Sequence, residues 1–171
     1  MTEGGSSIPE VRRLLAVLAA GKRAAEIGTA FGLGAEALAS TAREVVTVEI
    51  DPERAREART RLEGLANVEL LVGDWAELLP PHGPFELLFM DGGGYKLDLQ
   101  AAAQMLELVA PGGLVVADDM TPGYGPDPVR DFFFGHPQFV TVEILTTPES
   151  AALLASRVAT DGSGKSARRR P

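Results

Sequence analysis

The sequence contains no cysteine. This absence excludes disulfide bonds, thiolate metal ligands and a cysteine nucleophile. No apolar run approaches membrane-spanning length, and the polar N-terminus does not have the pattern of a signal peptide, so a cytoplasmic location is the expectation. With 171 residues, the chain has room for one α/β domain with a real core, which we place at residues 1–159.

Positive charge is scarce outside the last twelve residues. The net charge is −8, yet residues 160–171 hold four basic residues and one acidic residue, so the rest of the chain carries 12 basic and 23 acidic residues. Because sequence-independent binding to nucleic acid requires basic patches that neutralise phosphates, the acidic body argues against a nucleic-acid partner. The Gly/Ser/Arg-rich tail is expected to be a solvated, disordered end, with contact to an anion as the alternative.

Helical and strand patterns alternate along the chain. Helices are predicted at residues 8–20, 31–41, 52–64, 96–109 and 126–134, and strands at residues 23–27, 44–50, 68–72, 85–90, 114–117, 138–146 and 151–158. Five strands that alternate with helices, followed by a hairpin, predict a single doubly wound, Rossmann-like α/β sheet with helices on both faces.

A glycine-containing turn follows the first predicted strand, which ends in Glu26-Ile27-Gly28. The second strand carries Glu49 near its end, twenty-three residues after Glu26. A turn of this kind lets a ligand approach the backbone closely, and a carboxylate at the tip of the next strand can accept two hydrogen bonds from ribose hydroxyls. Together these features predict a nucleoside-type cofactor.

The glycine spacing distinguishes between two such cofactors. The dinucleotide fingerprint is G-x-G-x-x-G, whereas this chain has Gly28, Gly32 and Gly34. A carboxylate at Glu26 would repel a pyrophosphate but suits the sulfonium and ammonium cations of S-adenosylmethionine. The turn therefore favours S-adenosylmethionine, with a nicotinamide cofactor as the alternative.

Each predicted strand outside the hairpin is accompanied by an acidic residue at or just after its carboxyl end. In a doubly wound sheet these ends share one edge, and ligands bind there at the topological switch point. We therefore expect the site at this edge, built from Glu26, Glu49, Asp74, Asp91, Asp118 and Asp119.

Five short motifs occur in order at the ends of the predicted strands: Glu26-Ile27-Gly28-Thr29, Val48-Glu49-Ile50-Asp51, Gly73-Asp74, Phe89-Met90-Asp91 and Pro111-Gly112-Gly113-Leu114-Val115-Val116-Ala117-Asp118-Asp119. With these motifs, the chain from about residue 9 to residue 158 resembles the class I S-adenosylmethionine-dependent methyltransferases. Within that class it is similar to the small O-methyltransferases related to the catechol and caffeoyl-CoA enzymes. The resemblance implies a seven-stranded sheet in the order 3-2-1-4-5-7-6, with the last pair antiparallel, and O-methylation of a small phenolic or catechol-like acceptor.

The same resemblance implies roles for individual residues. A trio of aspartates would hold a divalent cation such as Mg²⁺, a hard ion that prefers carboxylate oxygens and can orient the two oxygens of a catechol. The turn after Glu26 would approach the methionine part of the cofactor, Glu49 would hold the ribose, and Asp74 would accept from the adenine amino group. The remaining assignments are Gly28, Thr29, Ala30, Phe31, Gly32 and Asp91 to the cofactor, Ile50 and Trp75 to the adenine, and Asp91, Asp118 and Asp119 to the metal.

The catalytic base is the main departure from the family pattern. Catechol-type enzymes carry a lysine three positions after the aspartate, where this chain has Gly94, and they have asparagine where it has Asp119. Lys96 is the substitute base, with Tyr95 as the alternative, and Asp91 is the other predicted catalytic residue. The general base stays open.

Four further expectations concern activity and partners. One alternative is a protein that binds S-adenosylmethionine but has lost catalysis, because the usual lysine is missing. The other is a methyltransferase of hydroxyuridine in transfer RNA, which the acidic body disfavours. A homodimer is a candidate assembly because helix 8–20 and the last strands offer apolar surface, and no membrane partner is expected.

Overall fold

The computed structural model describes residues 7–91, 99–121, 123 and 127–159. Helices and strands alternate through the first two thirds of the chain, as the periodicity predicts. The strands are β1 (Arg23–Ile27), β2 (Glu44–Glu49), β3 (Val68–Val72), β4 (Phe85–Met90), β5 (Val109–Ala117), β6 (Phe139–Thr147) and β7 (Ser150–Arg157). The helices are α1 (Pro9–Leu18), α2 (Leu33–Ala39), α3 (Pro52–Leu62), α4 (Trp75–Leu78), α5 (Leu99–Leu108) and α6 (Pro128–Gly135), with a 3₁₀ turn at Pro80–His82.

All seven strands form one sheet in the order β3-β2-β1-β4-β5-β7-β6. The first five strands pair in parallel, whereas β7 runs antiparallel to both β5 and β6. The predicted Rossmann-like sheet, its strand order and its antiparallel last pair are therefore confirmed. Between β1 and β4 the chain order of neighbouring strands reverses, which makes the carboxyl ends of these two strands the switch point.

Local side-chain caps explain where several helices begin. The Asp51 carboxylate accepts a hydrogen bond from the Glu53 N–H at 2.9 Å, and Pro52 occupies the first helical position of α3, as predicted. Asp127 caps α6 in the same way, by accepting from the Arg130 N–H at 3.0 Å. The start of α6 is therefore two residues later than the sequence predicts.

The start of β5 differs more from the prediction. The sequence places it at Leu114 because Pro111-Gly112-Gly113 is a breaker pattern, yet β5 begins at Val109. The register explains the difference, since Phe85 pairs with Val109 but Leu87 pairs with Leu114. The glycines and the proline thus form an irregularity within the strand, where they do not interrupt the sheet.

The two faces of the sheet bury separate apolar layers, because alternate residues of a strand point to opposite sides. One layer includes Ala25, Ile27 and Met90 and packs against α5 and α6. The other includes Ala24, Leu87 and Phe89 and packs against α1 and α2. Glu26 and Thr47 share the second face and are both buried there, so this otherwise apolar layer contains polar groups.

The surfaces predicted for a homodimer do carry exposed apolar side chains. They are Val17 on α1 and Val140, Val142 and Leu145 on the edge strand β6. The homodimer itself stays a prediction. None of the helices in the described segments combines the length and apolar character needed to cross a bilayer.

Candidate functional site

The turn after β1 has a backbone that few residue types adopt. Gly28 and Gly32 have φ of +90° and +84°, and between them Ala30 has φ of +46°. Positive φ suits glycine, but for alanine it is a strained conformation that the surroundings must enforce. Hydrogen bonds tie the turn to the neighbouring strand, because the N–H groups of Gly28 and Thr29 both donate to the Val48 carbonyl, at 3.0 and 3.2 Å.

Glu49 lies at the tip of β2 and holds this turn from the side. Its Oε2 accepts a hydrogen bond from the Ala30 N–H at 2.7 Å, and its Oε1 accepts from the Asp51 N–H at 2.9 Å. The side chain is 4% exposed. The carboxylate predicted to bind ribose is therefore next to the glycine turn, and the strained conformation of Ala30 has an identifiable support.

Glu26 lies deeper, at 1% exposure, on β1. Its Oε2 accepts a hydrogen bond from the Thr47 hydroxyl at 2.5 Å. Burial raises the pKa of Glu26 well above its usual range, the Thr47 hydrogen bond opposes that rise, and the charges of Asp91 and Glu49 add to it. A buried carboxyl with acidic neighbours is suited to a cationic ligand, whose charge would stabilise the ionised form.

Gly34 allows α2 to pass directly against this carboxyl group. A Cβ at residue 34 would lie 2.0 Å from Glu26 Oε1 and 3.1 Å from Phe89 Cε1. Only glycine fits there without a shift of its neighbours. In the sequence only the spacing of Gly34 is informative, and its role in making room for Glu26 is visible only in the packing of α2 against β1.

Asp91 follows β4 at the same edge of the sheet. Its N–H donates to the Ile27 carbonyl at 2.9 Å, which ties the end of β4 to β1. Its Oδ2 accepts a hydrogen bond from the Ser7 hydroxyl at 2.6 Å, and Ser7 is buried although it precedes α1. The sequence contained no signal for this contact, because the two residues lie 84 positions apart.

The residues predicted around the adenine lie at the tips of β2 and β3. Asp74 caps the short helix α4 by accepting a hydrogen bond from the Ala76 N–H at 2.9 Å. Trp75 is half-buried and packs against the core, whereas Ile50 is 73% exposed. An exposed apolar side chain beside Glu49 is suited to lie against a base, and the adenine roles of all three residues stay predictions.

Phe31 lies on the side of the turn that faces α3. Its carbonyl accepts a hydrogen bond from Arg61 Nε at 2.9 Å, so α3 also supports the turn. With Glu36, Glu57, Thr60 and Arg61, it lines a surface cavity of about 430 Å³. Its predicted contact with the cofactor stays a prediction.

The three aspartates predicted as metal ligands are not gathered into a metal site. Asp118 is buried and its Oδ1 accepts a hydrogen bond from the Asp119 N–H at 2.8 Å, whereas Asp119 is exposed and has φ of +56°. Among the described residues, no group of three histidine, cysteine, aspartate or glutamate side chains could hold a metal ion. The donor set therefore does not fit a divalent cation in this arrangement. Lys96, the predicted base, and Tyr95 lie outside the described residues.

Comparison with known proteins decides the family. Residues 25–120 match the family described as a methyltransferase domain, a range that contains the glycine turn, Glu49 and Asp91. The chain belongs to this methyltransferase family. The resemblance to class I S-adenosylmethionine-dependent methyltransferases is thereby confirmed.

Curated relatives of this chain include protein-L-isoaspartate O-methyltransferases. The one from Rhodopseudomonas palustris is 37% identical over 102 residues, which cover 58% of this chain and 45% of the relative. The one from Picosynechococcus is 49% identical over 61 residues, 32% of this chain and 28% of the relative. The match thus spans about half or less of the length of these relatives.

Solved structures with the same fold cover about nine tenths of this chain. The O-methyltransferase TomG from Streptomyces achromogenes, in complex with SAM, superposes with a TM-score of 0.74 at 23% identity, covering 92% of this chain and 83% of TomG. The O-methyltransferase from Bacillus cereus, in complex with SAH, gives 0.72 at 21% identity, covering 90% and 83%. At these identities the similarity concerns the fold.

Proposed function

We propose that this protein is an S-adenosylmethionine-dependent O-methyltransferase. The observation that carries the proposal is the position of two buried carboxyl groups, Glu26 and Glu49, against the strained turn between Gly28 and Gly32. Family membership supports the transfer of a methyl group. The printed names of the isoaspartate relatives and of TomG support an oxygen as the acceptor.

The fit of the cofactor follows from charge and space. S-adenosylmethionine supplies an electrophilic methyl group on a sulfonium, and the acidic neighbourhood of Glu26 attracts that cation and the ammonium of the methionine part. We expect the Glu49 carboxylate to accept from ribose hydroxyls and the exposed side chain of Ile50 to lie against the base, and the position of Glu49 beside the turn supports this assignment. For transfer to occur, the protein must also hold the acceptor oxygen in line with the methyl group.

A small hydroxylated molecule is the acceptor that we propose, in the phenolic or catechol-like class. The fold is shared over about nine tenths of this chain with proteins whose printed titles are O-methyltransferases, which supports an oxygen acceptor. The proposed reaction contains no metal-dependent step, because Asp91, Asp118 and Asp119 do not form a suitable donor set.

An isoaspartyl carboxylate is the second candidate acceptor. Identities of 37% and 49% to protein-L-isoaspartate O-methyltransferases favour it. Against it, the matched stretch is less than half of either relative, so most of each relative's chain has no matched counterpart here. Chemically, both acceptors present an oxygen nucleophile to the same methyl donor.

Transfer of a labelled methyl group tests the proposal. The purified protein would be incubated with S-adenosyl[methyl-³H]methionine and three acceptor sets: catechols and phenols with and without Mg²⁺, an isoaspartyl peptide beside its aspartyl isomer, and bulk transfer RNA. We expect label in the first set, reduced by Glu49→Gln and unchanged by Glu63→Gln, which alters an exposed glutamate at the end of α3. Label in the isoaspartyl peptide alone would establish the second candidate.

Two other outcomes correspond to the alternatives drawn from the sequence. Label in transfer RNA alone would replace both acceptors by an RNA base. Tight binding of S-adenosylhomocysteine with no transfer to any acceptor would indicate a protein that binds the cofactor but has lost catalysis.

A further inference from the structure

Two polar side chains face each other inside an apolar layer of the sheet. Glu26 on β1 and Thr47 on β2 are register partners, and Thr47 is fully buried in the interior of its strand. The same face is otherwise made of apolar residues such as Ala24, Val45 and Phe89. A buried hydroxyl at such a position costs free energy unless it is hydrogen-bonded, and valine would fill the same volume in a strand without that cost.

The hydroxyl of Thr47 is bonded on both sides. It donates to Glu26 Oε2, so its single proton is committed and its remaining hydrogen bond must be accepted. The partner is the hydroxyl of Thr29, which is also buried and belongs to the glycine turn. The result is a relay in which Thr29 donates to Thr47 and Thr47 donates to Glu26.

The relay connects the glycine turn with the carboxyl group of Glu26, which are two parts of the cofactor site. Thr29 belongs to the turn, and the N–H groups of Gly28 and Thr29 donate to the Val48 carbonyl. Glu26 is confined on its other side by Gly34, where even a methyl group would collide with Oε1. Thr47 therefore determines where the carboxyl group points.

We propose that Thr47 is a positioning residue of the cofactor site, whose hydroxyl holds the Glu26 carboxyl group in place for the cationic end of S-adenosylmethionine. This inference rests on the proposed function. Thr47 does not itself touch the reacting atoms, and it acts through Glu26 and Thr29.

The electrostatic surroundings of Glu26 explain why the Thr47 hydroxyl affects the ionisation of this carboxyl group. Among the residues that the structure describes, the charged groups that act on it are Glu49, at the end of β2, and Asp91, after β4, and both are acidic. Burial and these two charges favour the neutral carboxyl group, and the hydrogen bond from Thr47 favours the carboxylate. Without the hydroxyl, the pKa of Glu26 rises further, so a larger share of the protein holds a neutral group that attracts a cation less strongly.

The test compares Thr47→Val, which keeps the shape and removes the hydroxyl, with Thr47→Ser, which keeps the hydroxyl and removes a methyl group. S-adenosylhomocysteine, which retains the ammonium, would be titrated calorimetrically into each protein from about pH 5 to about pH 9. We expect Thr47→Val to bind at least about tenfold more weakly at neutral pH, and its loss of affinity on acidification to begin at a higher pH than in the wild type. Thr47→Ser should behave like the wild type.

A purely structural role for Thr47 predicts the opposite order. If Thr47 only filled space, Thr47→Val would match the wild type in affinity and pH profile while Thr47→Ser would be defective, and that result would overturn the proposal. Thr29→Val breaks the relay at its other end and is the second variant, with a shift of the pH profile in the same direction expected. If the pH profile of S-adenosylhomocysteine binding is unchanged in both single variants, Thr29→Val and Thr47→Val, the proposal is also overturned.

The experiment separates this inference from the proposed function. Absence of binding to the wild-type protein would overturn the cofactor assignment itself. If the wild-type protein binds and the variants show the same dependence of affinity on pH, only the role of Thr47 is overturned. Thermal unfolding of each variant, read beside the titration, shows whether a loss of affinity occurs in a folded protein.

Discussion

Replacing Gly34 with alanine tests the placement of Glu26 most sharply. In a helix, glycine to alanine ordinarily stabilises by about 0.4–1 kcal/mol. Here the new Cβ would lie 2.0 Å from Glu26 Oε1, about 1.4 Å closer than the 3.4 Å at which ordinary contact begins. Overpacking of this kind costs about 1–3 kcal/mol, so the net expectation is a loss of about 1–2 kcal/mol in the free energy of unfolding.

Chemical denaturation and thermal unfolding measure this change. For a domain of this size the expected loss corresponds to a fall of about 2–8 °C in Tm. Gly135→Ala is the matched control, because Gly135 ends α6 and a Cβ there would meet no atom within 4 Å. The control is expected to be neutral or slightly stabilising.

A double substitution identifies the clash. In the Gly34→Ala background, Glu26→Ala removes the atom that the new Cβ meets, so the two changes should couple favourably by about 1–3 kcal/mol. If Gly34→Ala is as stable as Gly135→Ala and binds S-adenosylhomocysteine like the wild type, the carboxyl group of Glu26 does not lie against α2 and the reasoning is refuted.

Three other predictions concern the same site. Glu49→Gln replaces a carboxylate that accepts two backbone N–H groups, and we expect calorimetry to show at least about tenfold weaker binding of S-adenosylhomocysteine; equal affinity would contradict its role. Ser7→Ala removes the donor to Asp91, and urea denaturation should show a loss of about 1–2 kcal/mol, whereas no change would mean that the contact does not form in solution. Because the pKa of Glu26 is raised in the folded protein, its contribution to stability without cofactor is fully present below the ordinary value of 4.5 and is lost as pH rises through the raised pKa. Glu26→Gln should therefore flatten the decline of stability across that range, and parallel curves for the two proteins would count against the shift.

The sequence predicts the architecture because the apolar periodicity and the turn residues point to the same fold. The parallel strands and the hairpin are bounded by clear signals, and the capping pattern of Asp51 and Pro52 gives the start of α3 to the residue. Where a signal has two meanings the prediction fails, as at Pro111-Gly112-Gly113. A breaker pattern there forms an irregularity inside β5, which only the pairing with β4 reveals.

The site was predictable to the extent that its residues follow strand ends. Glu26, Glu49 and Asp91 could be identified because parallel strands bring their carboxyl ends to one edge. Thr47 and Ser7 could not, since each contributes through a hydrogen bond to a residue distant in sequence. The three aspartates predicted as metal ligands are not gathered for a related reason, because Asp118 and Asp119 are adjacent in sequence, yet one carboxylate is buried and the other is exposed.

Titration of S-adenosylhomocysteine into the wild-type protein, with Mg²⁺ added in a parallel run, is the direct test of the cofactor assignment. We expect one site with micromolar affinity, weakened by Glu49→Gln and indifferent to Mg²⁺. Absence of binding at millimolar ligand would contradict the assignment of the cofactor and with it the proposed methyl transfer. Binding that tightens with Mg²⁺ and loses this dependence in Asp91→Ala would contradict the metal-free site described above.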